Sequence, residues 1–434
     1  MVDNVRRVRT VAIIGAGWAG LSAAVHAIDK GWRVTMYEMS QQCGGRARTV
    51  TRPDGQQFDN GQHILIGAYV ECLALMRKVG ADPDTALLRL PLQLRYPNGD
   101  GLVLPAGPAW LAFGWGVLRA RGWSWADRLS LIELGVRWAS ARFRCAASTT
   151  VAQLGSDATD RIRRDWLDPL CSAALNTPSA TASGQVFLRV LKDALFAGSG
   201  ASNLLLPRME LGSIFPGPAA LWLRGRGAVI HLRSRVQSLE FHSDGVWVSG
   251  MKHDAAILAC GAQSSARLVE SLAPDWSRQA SALRHQAIVT VYLDDPTLRL
   301  QAPMLALPSH IPGPAQFVFD MGLLSSAKGR FAFVASAASA AVEESLADAV
   351  LAVTNQARRV FPGHFGHVSD ACAHAAVERR ATFACTADLT RPPQRICNAI
   401  WAAGDFVDGP YPATLEGAAL SGRLAVLGMA AGSS

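Results

Sequence analysis

Thr10-Val-Ala-Ile-Ile14 runs directly into Gly15-Ala-Gly17-Trp-Ala-Gly20, and these eleven residues decide the fold. The first five read as a strand buried in a parallel sheet. After the glycines, Leu21, Ala24, Val25 and Ile28 recur at helical spacing, and Gly31 ends the helix. Arg33-Val-Thr-Met-Tyr37 then reads as a second strand, closed by Glu38. Gly15 permits a tight turn out of the strand, Gly17 lets the backbone approach a pyrophosphate, and Gly20 lets the helix pack on the sheet. The helix start, with Trp18 and Ala19, offers free N–H groups and partial positive charge to phosphates. Glu38 follows Gly20 by eighteen residues, where a carboxylate can accept ribose hydroxyls and disfavours a 2′-phosphate. The motif therefore predicts a dinucleotide site in an α/β fold. Alone it does not separate FAD from NAD.

Two further stretches belong with it. Cys43-Gly44-Gly45-Arg46 follows Glu38 after a short loop, and Asp59-Asn60-Gly61-Gln62-His63 comes after that. Near the C-terminus Ala399-Ile-Trp-Ala-Ala403 reads as a strand, followed by Gly404-Asp405 and by Pro412-Ala-Thr-Leu-Glu416-Gly417 at the start of an Ala-rich helix. This set resembles the amine oxidase and phytoene desaturase superfamily of flavoproteins. The resemblance implies FAD, bound noncovalently. It places Gly44, Gly45 and Arg46 on the phosphates and ribityl chain, and Gly61, Gln62 and His63 near the flavin. It places Gly404 and Asp405 on the pyrophosphate or ribityl chain, and a backbone contact to adenine at Val236. The helix N-terminus at Thr414, Leu415 and Glu416 would face the flavin pyrimidine, where its dipole eases reduction.

Length and composition set the frame. A chain of 434 residues, half of them hydrophobic and 18% charged, predicts a folded protein of two domains. The nucleotide domain is expected from 1–75, 207–270 and 384–434, with a Rossmann-like sheet. Its middle segment includes a short β-run at Arg235–Leu239. The substrate domain is expected from 76–206 and 271–383, a mixed α+β unit. In it, Arg128–Arg142 and Gln185–Phe196 read as helices, Ala287–Leu293 and Phe331–Ser336 as strands, and Ala341–Val360 as a long helix. The net charge of +8 rests on arginine, since only Lys30, Lys78, Lys192, Lys252 and Lys328 are lysines. No long basic run or aromatic–basic interleaving points to nucleic acid. The eight cysteines form no CxxC pair, which predicts reduced thiols and no metal site. Val11–Ile14, after Arg6, Arg7 and Arg9, is too short for a signal peptide. The most apolar stretch, Gly101–Leu118, is broken by prolines and glycines and does not qualify as a membrane span. Trp110, Phe113, Trp115, Trp123 and Trp125 nevertheless cluster there beside Arg119 and Arg121, as on a helix lying at a membrane interface or lining a substrate domain.

Three stretches narrow the resemblance to the bacterial hydroxysqualene dehydroxylases: Asp59–Tyr69, Trp166–Pro178 and Ser202–Arg208. This implies reductive loss of an allylic hydroxyl from a long apolar isoprenoid, in squalene and hopanoid biosynthesis. It further implies an electron donor for the flavin, a neighbouring hydroxysqualene-forming synthase, and a cytoplasmic protein peripheral on the inner face of the membrane. Candidate catalytic residues are His63, as first choice of acid, with Asp168, Asn176 and Tyr411. An oxidative carotenoid desaturase is the runner-up. The scarcity of lysines disfavours an amine oxidase, and the intact nucleotide motifs disfavour a lipid escort without cofactor.

Overall fold

In the computed structural model, Thr10–Ile14 forms an inner strand of a six-stranded sheet. The sheet order is Val229–His231, Arg33–Tyr37, Thr10–Ile14, Ala255–Leu258, Ile400–Ala402, Arg395–Cys397. The first five strands are parallel and the last returns as an antiparallel edge. The structure describes residues 8–51, 55–325, 327–339, 342, 345–366 and 374–431. Arg6, Arg7, Ala341 and Cys372 lie outside them.

The strands at 10, 33, 229, 255, 395 and 400 are far apart in sequence yet share one sheet. Their burial explains this. Val11, Ile13, Val34, Ala255 and Ile257 are fully or nearly fully buried on one side, under the helices Trp18–Asp29 and Leu415–Ala431. Those two helices touch at backbone distance. A methyl on Gly422 would stand 2.4 Å from Ala19 O, and Ser22 Oγ donates to Ala419 O at 2.6 Å. The C-terminal helix is thereby locked onto the helix that opens the nucleotide motif.

A second, antiparallel sheet takes all five strands from 285–383, in the order Met304–Ala306, Phe317–Asp320, Arg330–Ala335, His285–Asp294, His374–Phe383. Strand His285–Asp294 alternates. Ala287, Val289, Val291 and Leu293 enter a core shared with residues of helix Leu346–Val360. Gln286, Ile288, Thr290 and Tyr292 lie on the opposite face, towards the nucleotide-binding unit. Over that face close the helices Ala109–Leu118, Trp125–Ser140, Asp168–Leu175 and Gly184–Phe196, through Val117, Leu131, Trp138, Cys171 and Phe187. Ser124 and Asp127 form a reciprocal cap that starts the second of these helices.

Three local expectations change. Arg235–Ser238 is irregular and the strand there begins at Leu239, because the chain must first turn away from the parallel edge at His231. The long helix begins at Leu346, capped by Ser345. The apolar stretch from Gly101 divides into strand Gly101–Val103 and helix Ala109–Leu118, since Pro105 and Pro108 cannot sit inside either. No described helix is long and apolar enough to cross a membrane.

Candidate functional site

The glycine turn shows which of its positions serve the protein and which serve a ligand. Gly15 has φ +108°, and a methyl there would lie 2.6 Å from Ala259 O. A methyl on Gly20 would lie 1.9 Å from Gly15 O. Both glycines are required by the fold. Gly17 differs: its nearest neighbour would be Gly45 Cα at 3.7 Å, an ordinary contact. The fold leaves room for a side chain at Gly17, so its bareness suits something that approaches from outside. Gly44 joins the turn by donating to Ala16 O at 2.8 Å. Glu38 is buried at the mouth, its Oε2 accepting from Ala16 N at 2.7 Å and its Oε1 from Ser40 N at 2.8 Å. Those bonds fix the carboxylate, and each oxygen keeps a lone pair for a ribose hydroxyl. The residues present thus fit a dinucleotide.

Arg46 gathers the other motifs. Its Nη2 meets Asp405 Oδ1 at 2.5 Å and its Nη1 donates to Ala381 O at 2.8 Å. Asn60 Nδ2 donates to Arg46 O at 3.0 Å and to Glu378 Oε2 at 2.9 Å. Gly404 N donates to Ser421 Oγ at 2.8 Å, which holds the Gly404-Asp405 turn against the last helix. Gly44, Gly45, Arg46, Asn60, Gly404 and Asp405 therefore lie close together around this turn. Thr414 Oγ1 bridges Tyr411 O and Gly417 N, each at 2.9 Å, and shapes the helix start. Glu416 needs a correction. Its carboxylate accepts from Glu71 N at 2.8 Å and Cys72 N at 2.9 Å, capping helix Val70–Lys78. Its side chain is committed to the fold, and only its backbone could face a cofactor. Leu415 packs against the nucleotide core. Val236 is buried on irregular backbone, not on the expected strand.

The floor of the site carries a signal that the sequence hid. Gln286 Oε1 and Thr290 Oγ1 are buried without a hydrogen-bond partner among the described residues, as is Trp18 Nε1. Such atoms cost about 1–3 kcal/mol each when left unpaired, and a ligand over this face would offer Gln286 and Thr290 the missing partner. Thr290 Oγ1 would lie 3.7 Å from a methyl on Gly61. Beside it, Gln62 Nε2 donates to Tyr292 Oη at 3.3 Å, and Tyr292 Oη donates to Asp59 O at 3.2 Å. Alternation along an apolar strand could have nominated Gln286 and Thr290, but only the fold shows which face they share.

The catalytic candidates separate. His63 Nδ1 lies 3.1 Å from Gly61 O. Burial lowers its pKa, against the Gly61 hydrogen bond, and the Arg46 charge adds to the lowering. In its neutral form His63 donates through Nδ1 to Gly61 O and keeps Nε2 as an acceptor. Asp168 follows a π-helical turn, Arg163–Leu167, and opens the next helix half-buried, its side chain without a hydrogen-bond or ion-pair partner among the described residues. π-Turns often occur at functional sites. Asn176 is corrected to a structural tie: at φ +45° its Nδ2 donates to Thr382 Oγ1 at 2.9 Å and its Oδ1 accepts from Ala337 N at 2.7 Å. Both its polar atoms are spent. Tyr411 is corrected likewise. Its ring lies 5.6 Å from the guanidinium of Arg189, which pairs with Asp193 at 2.8 Å, so it joins the last loop to helix Gly184–Phe196. Sequence reasoning missed Asp59 as a titrating group. Burial, against hydrogen bonds from Leu211 N and Thr49, raises it to about 6.

Comparison with known proteins follows this geometry. Residues 18–427 match the pattern of the flavin containing amine oxidoreductases. The chain belongs to that family. Its members' flavin suits the cradle described above, and the chain is a flavoprotein oxidoreductase of two-domain α/β architecture. Hydroxysqualene dehydroxylase of Zymomonas mobilis is 28% identical, over 95% of this chain and 97% of that protein. The enzyme of the same name from Rhodopseudomonas palustris is 28% identical over 98% and 99%. A probable zeta-carotene desaturase of Synechococcus elongatus is 27% identical over 62% and 61%. An oxidoreductase from Methanosarcina mazei shares the fold, with a TM-score of 0.75 at 17% identity, over 96% of this chain and all of that one.

Proposed function

We propose that this flavoprotein reductively removes the hydroxyl group of hydroxysqualene to give squalene, a step towards hopanoids, using noncovalent FAD. The observation that carries this is the end-to-end similarity to hydroxysqualene dehydroxylases, against a desaturase likeness covering under two thirds of the chain. Gly17 faces the diphosphate, Glu38 the ribose, and Gln286 and Thr290 the flavin or the bound alcohol.

The reaction balances as allylic alcohol plus hydride plus proton giving alkene and water. Reduced FAD, when bound, supplies the hydride. The chain's own residues supply the rest. A proton delivered to the departing oxygen, for which His63 and Asp168 are the candidate positions, lets water leave from an allylic carbon whose cation is resonance-stabilised. Where Asp168 holds that proton, neutral His63 accepts at Nε2 and orients the hydroxyl. Trp138, Trp166 and Phe187 pack together in the apolar cover and exclude water from that cation.

A thirty-carbon substrate starts in a bilayer. Transfer from water would gain roughly 0.8 kcal/mol per methylene, but transfer from lipid gains little. The enzyme therefore works on a membrane surface, peripherally on the cytoplasmic side. Trp110, Trp115 and Trp125 are 56%, 50% and 65% exposed, with Leu111 and Leu129 also exposed. Arg119 lies 4.5 Å over the Trp115 ring and Arg128 4.9 Å over Trp125. Indole with guanidinium suits an anionic headgroup boundary. A synthase that forms hydroxysqualene would supply the substrate through the same membrane.

The test is product analysis with purified protein, reduced FAD and liposomes carrying hydroxysqualene. Squalene is the expected product. Desaturation of a polyene by oxidised enzyme, with hydroxysqualene untouched, would replace this reading by the desaturase.

A further inference from the structure

Where strand His374–Phe383 pairs with His285–Asp294, the ladder slips. Gln286 pairs with Thr382, but Ile288 pairs with Glu378, so the edge strand carries two residues more than its partner across this interval. Bulges bend a strand and turn side chains outward. Here they present Arg379 and Arg380, both exposed, with neither guanidinium in an ion pair among the described residues. Arg284, also exposed, lies at the end of the same strand pair, where its carbonyl accepts from Ala384 N at 2.8 Å.

The backbone of this bulge is held rigidly against the flavin motifs. Arg46 Nη1 donates to Ala381 O, and Glu378 accepts from Arg380 N at 3.1 Å and from Asn60 Nδ2 at 2.9 Å. The bulge is thus one hydrogen bond from the Gly44-Gly45-Arg46 turn and one residue step from Gly61. The neighbouring acids face inward: Glu378 is engaged by Asn60 and Asp405 by Arg46. What remains outward is positive.

We propose that Arg379 and Arg380, with Arg284, form the docking face for an acidic one-electron carrier protein that reloads the flavin. This rests on the reductive reading above, in which each turnover removes a hydride from reduced FAD. Two one-electron deliveries from two carrier molecules, with two protons from water, restore it, and the carrier is oxidised. A protein partner fits better than a nicotinamide dinucleotide. The face is an exposed strand bulge with no glycine turn or helix start to cradle a diphosphate. Exposed like charges instead steer an oppositely charged protein over long range, and the net charge of +8 adds to that pull.

The experiment uses holoenzyme and reduced plant-type [2Fe–2S] ferredoxin as probe, at low and high salt. Binding is measured by calorimetry and flavin reduction by stopped flow, for wild type, Arg379→Gln/Arg380→Gln and Arg379→Lys/Arg380→Lys. The glutamine pair should weaken binding and slow reduction by about tenfold or more at low salt, while the lysine pair restores both. High salt should weaken the wild type similarly. FAD content and dithionite-primed single turnover should not change. Equal binding and reduction in wild type and glutamine pair would overturn the proposal. Loss of FAD would also overturn it, by assigning these arginines to the cofactor. So would efficient reduction by NADPH alone that depends on the same arginines. If dithionite-reduced wild type leaves hydroxysqualene untouched while ferredoxin binding holds, the substrate reading fails and the docking face stands.

Discussion

At the scale of single residues, the glycines and carboxylates carry the account. Gly17→Ala should fold with near-wild-type thermal stability, because its methyl meets only Gly45 at 3.7 Å, yet lose flavin. Flavin content per folded protein checks this, and full retention would remove the diphosphate from that turn. Asp59 offers a pH signature. Its folded pKa of about 6 lies above the ordinary carboxylate value. Its contribution is therefore fully present below about pH 4 and is lost as pH rises through 6, a change of about 3 kcal/mol. Asp59→Asn should flatten that part of the stability profile, as measured by denaturant unfolding across pH 4–8. Asp295 works with the opposite sign. Burial would raise it, but hydrogen bonds from Thr297, Phe365 and Leu298 outweigh that and hold it well below the usual range. Its contribution is present above about pH 4 and lost in acid. Asp295→Ala, which orphans those buried amides, should cost about 2–4 kcal/mol in denaturant unfolding.

Among elements, the contact between the first and last long helices transmits most. Gly422→Val would drive a side chain into Ala19 O and Ala23 N, at 2.4 and 2.8 Å for the first carbon alone. A loss of about 2–3 kcal/mol is expected, with weakened flavin retention, both read from one thermal melt followed by flavin fluorescence. This level also shows what could be read in the sequence. Strand Thr10–Ile14, its glycine turn and its helix were legible because local chemistry alone demands them. Strand His285–Asp294 was legible in outline from its apolar run. Its polar face was not, because which side of a strand meets the cofactor depends on partners far away in sequence. Glu416 shows the same dependence: its motif position sets its backbone at the helix start, while helix Val70–Lys78 arrives to claim its carboxylate. The burial of His63 and the Arg46 charge, which lower its pKa, are likewise invisible in a string of residues.

For the whole molecule, the proposed function divides the tasks: the parallel sheet would hold the dinucleotide, the antiparallel sheet would floor the pocket, and the helical cover would meet lipid. Replacing Trp110, Trp115 and Trp125 together by Ser should reduce co-sedimentation with anionic liposomes about tenfold or more, since each indole would forfeit apolar burial. Unchanged partitioning would move the docking surface elsewhere. In the proposed reaction this molecule sends electrons from flavin to an allylic alcohol. The most direct measurement is an anaerobic single turnover: photoreduce the bound flavin, mix with hydroxysqualene in liposomes, and follow reoxidation by absorbance with product analysis. Reoxidation matched by squalene is the expected result, slowed in whichever of His63→Ala and Asp168→Asn removes the proton donor. Reduced flavin that persists beside unchanged hydroxysqualene, while the oxidised enzyme is bleached by a polyene, would contradict it.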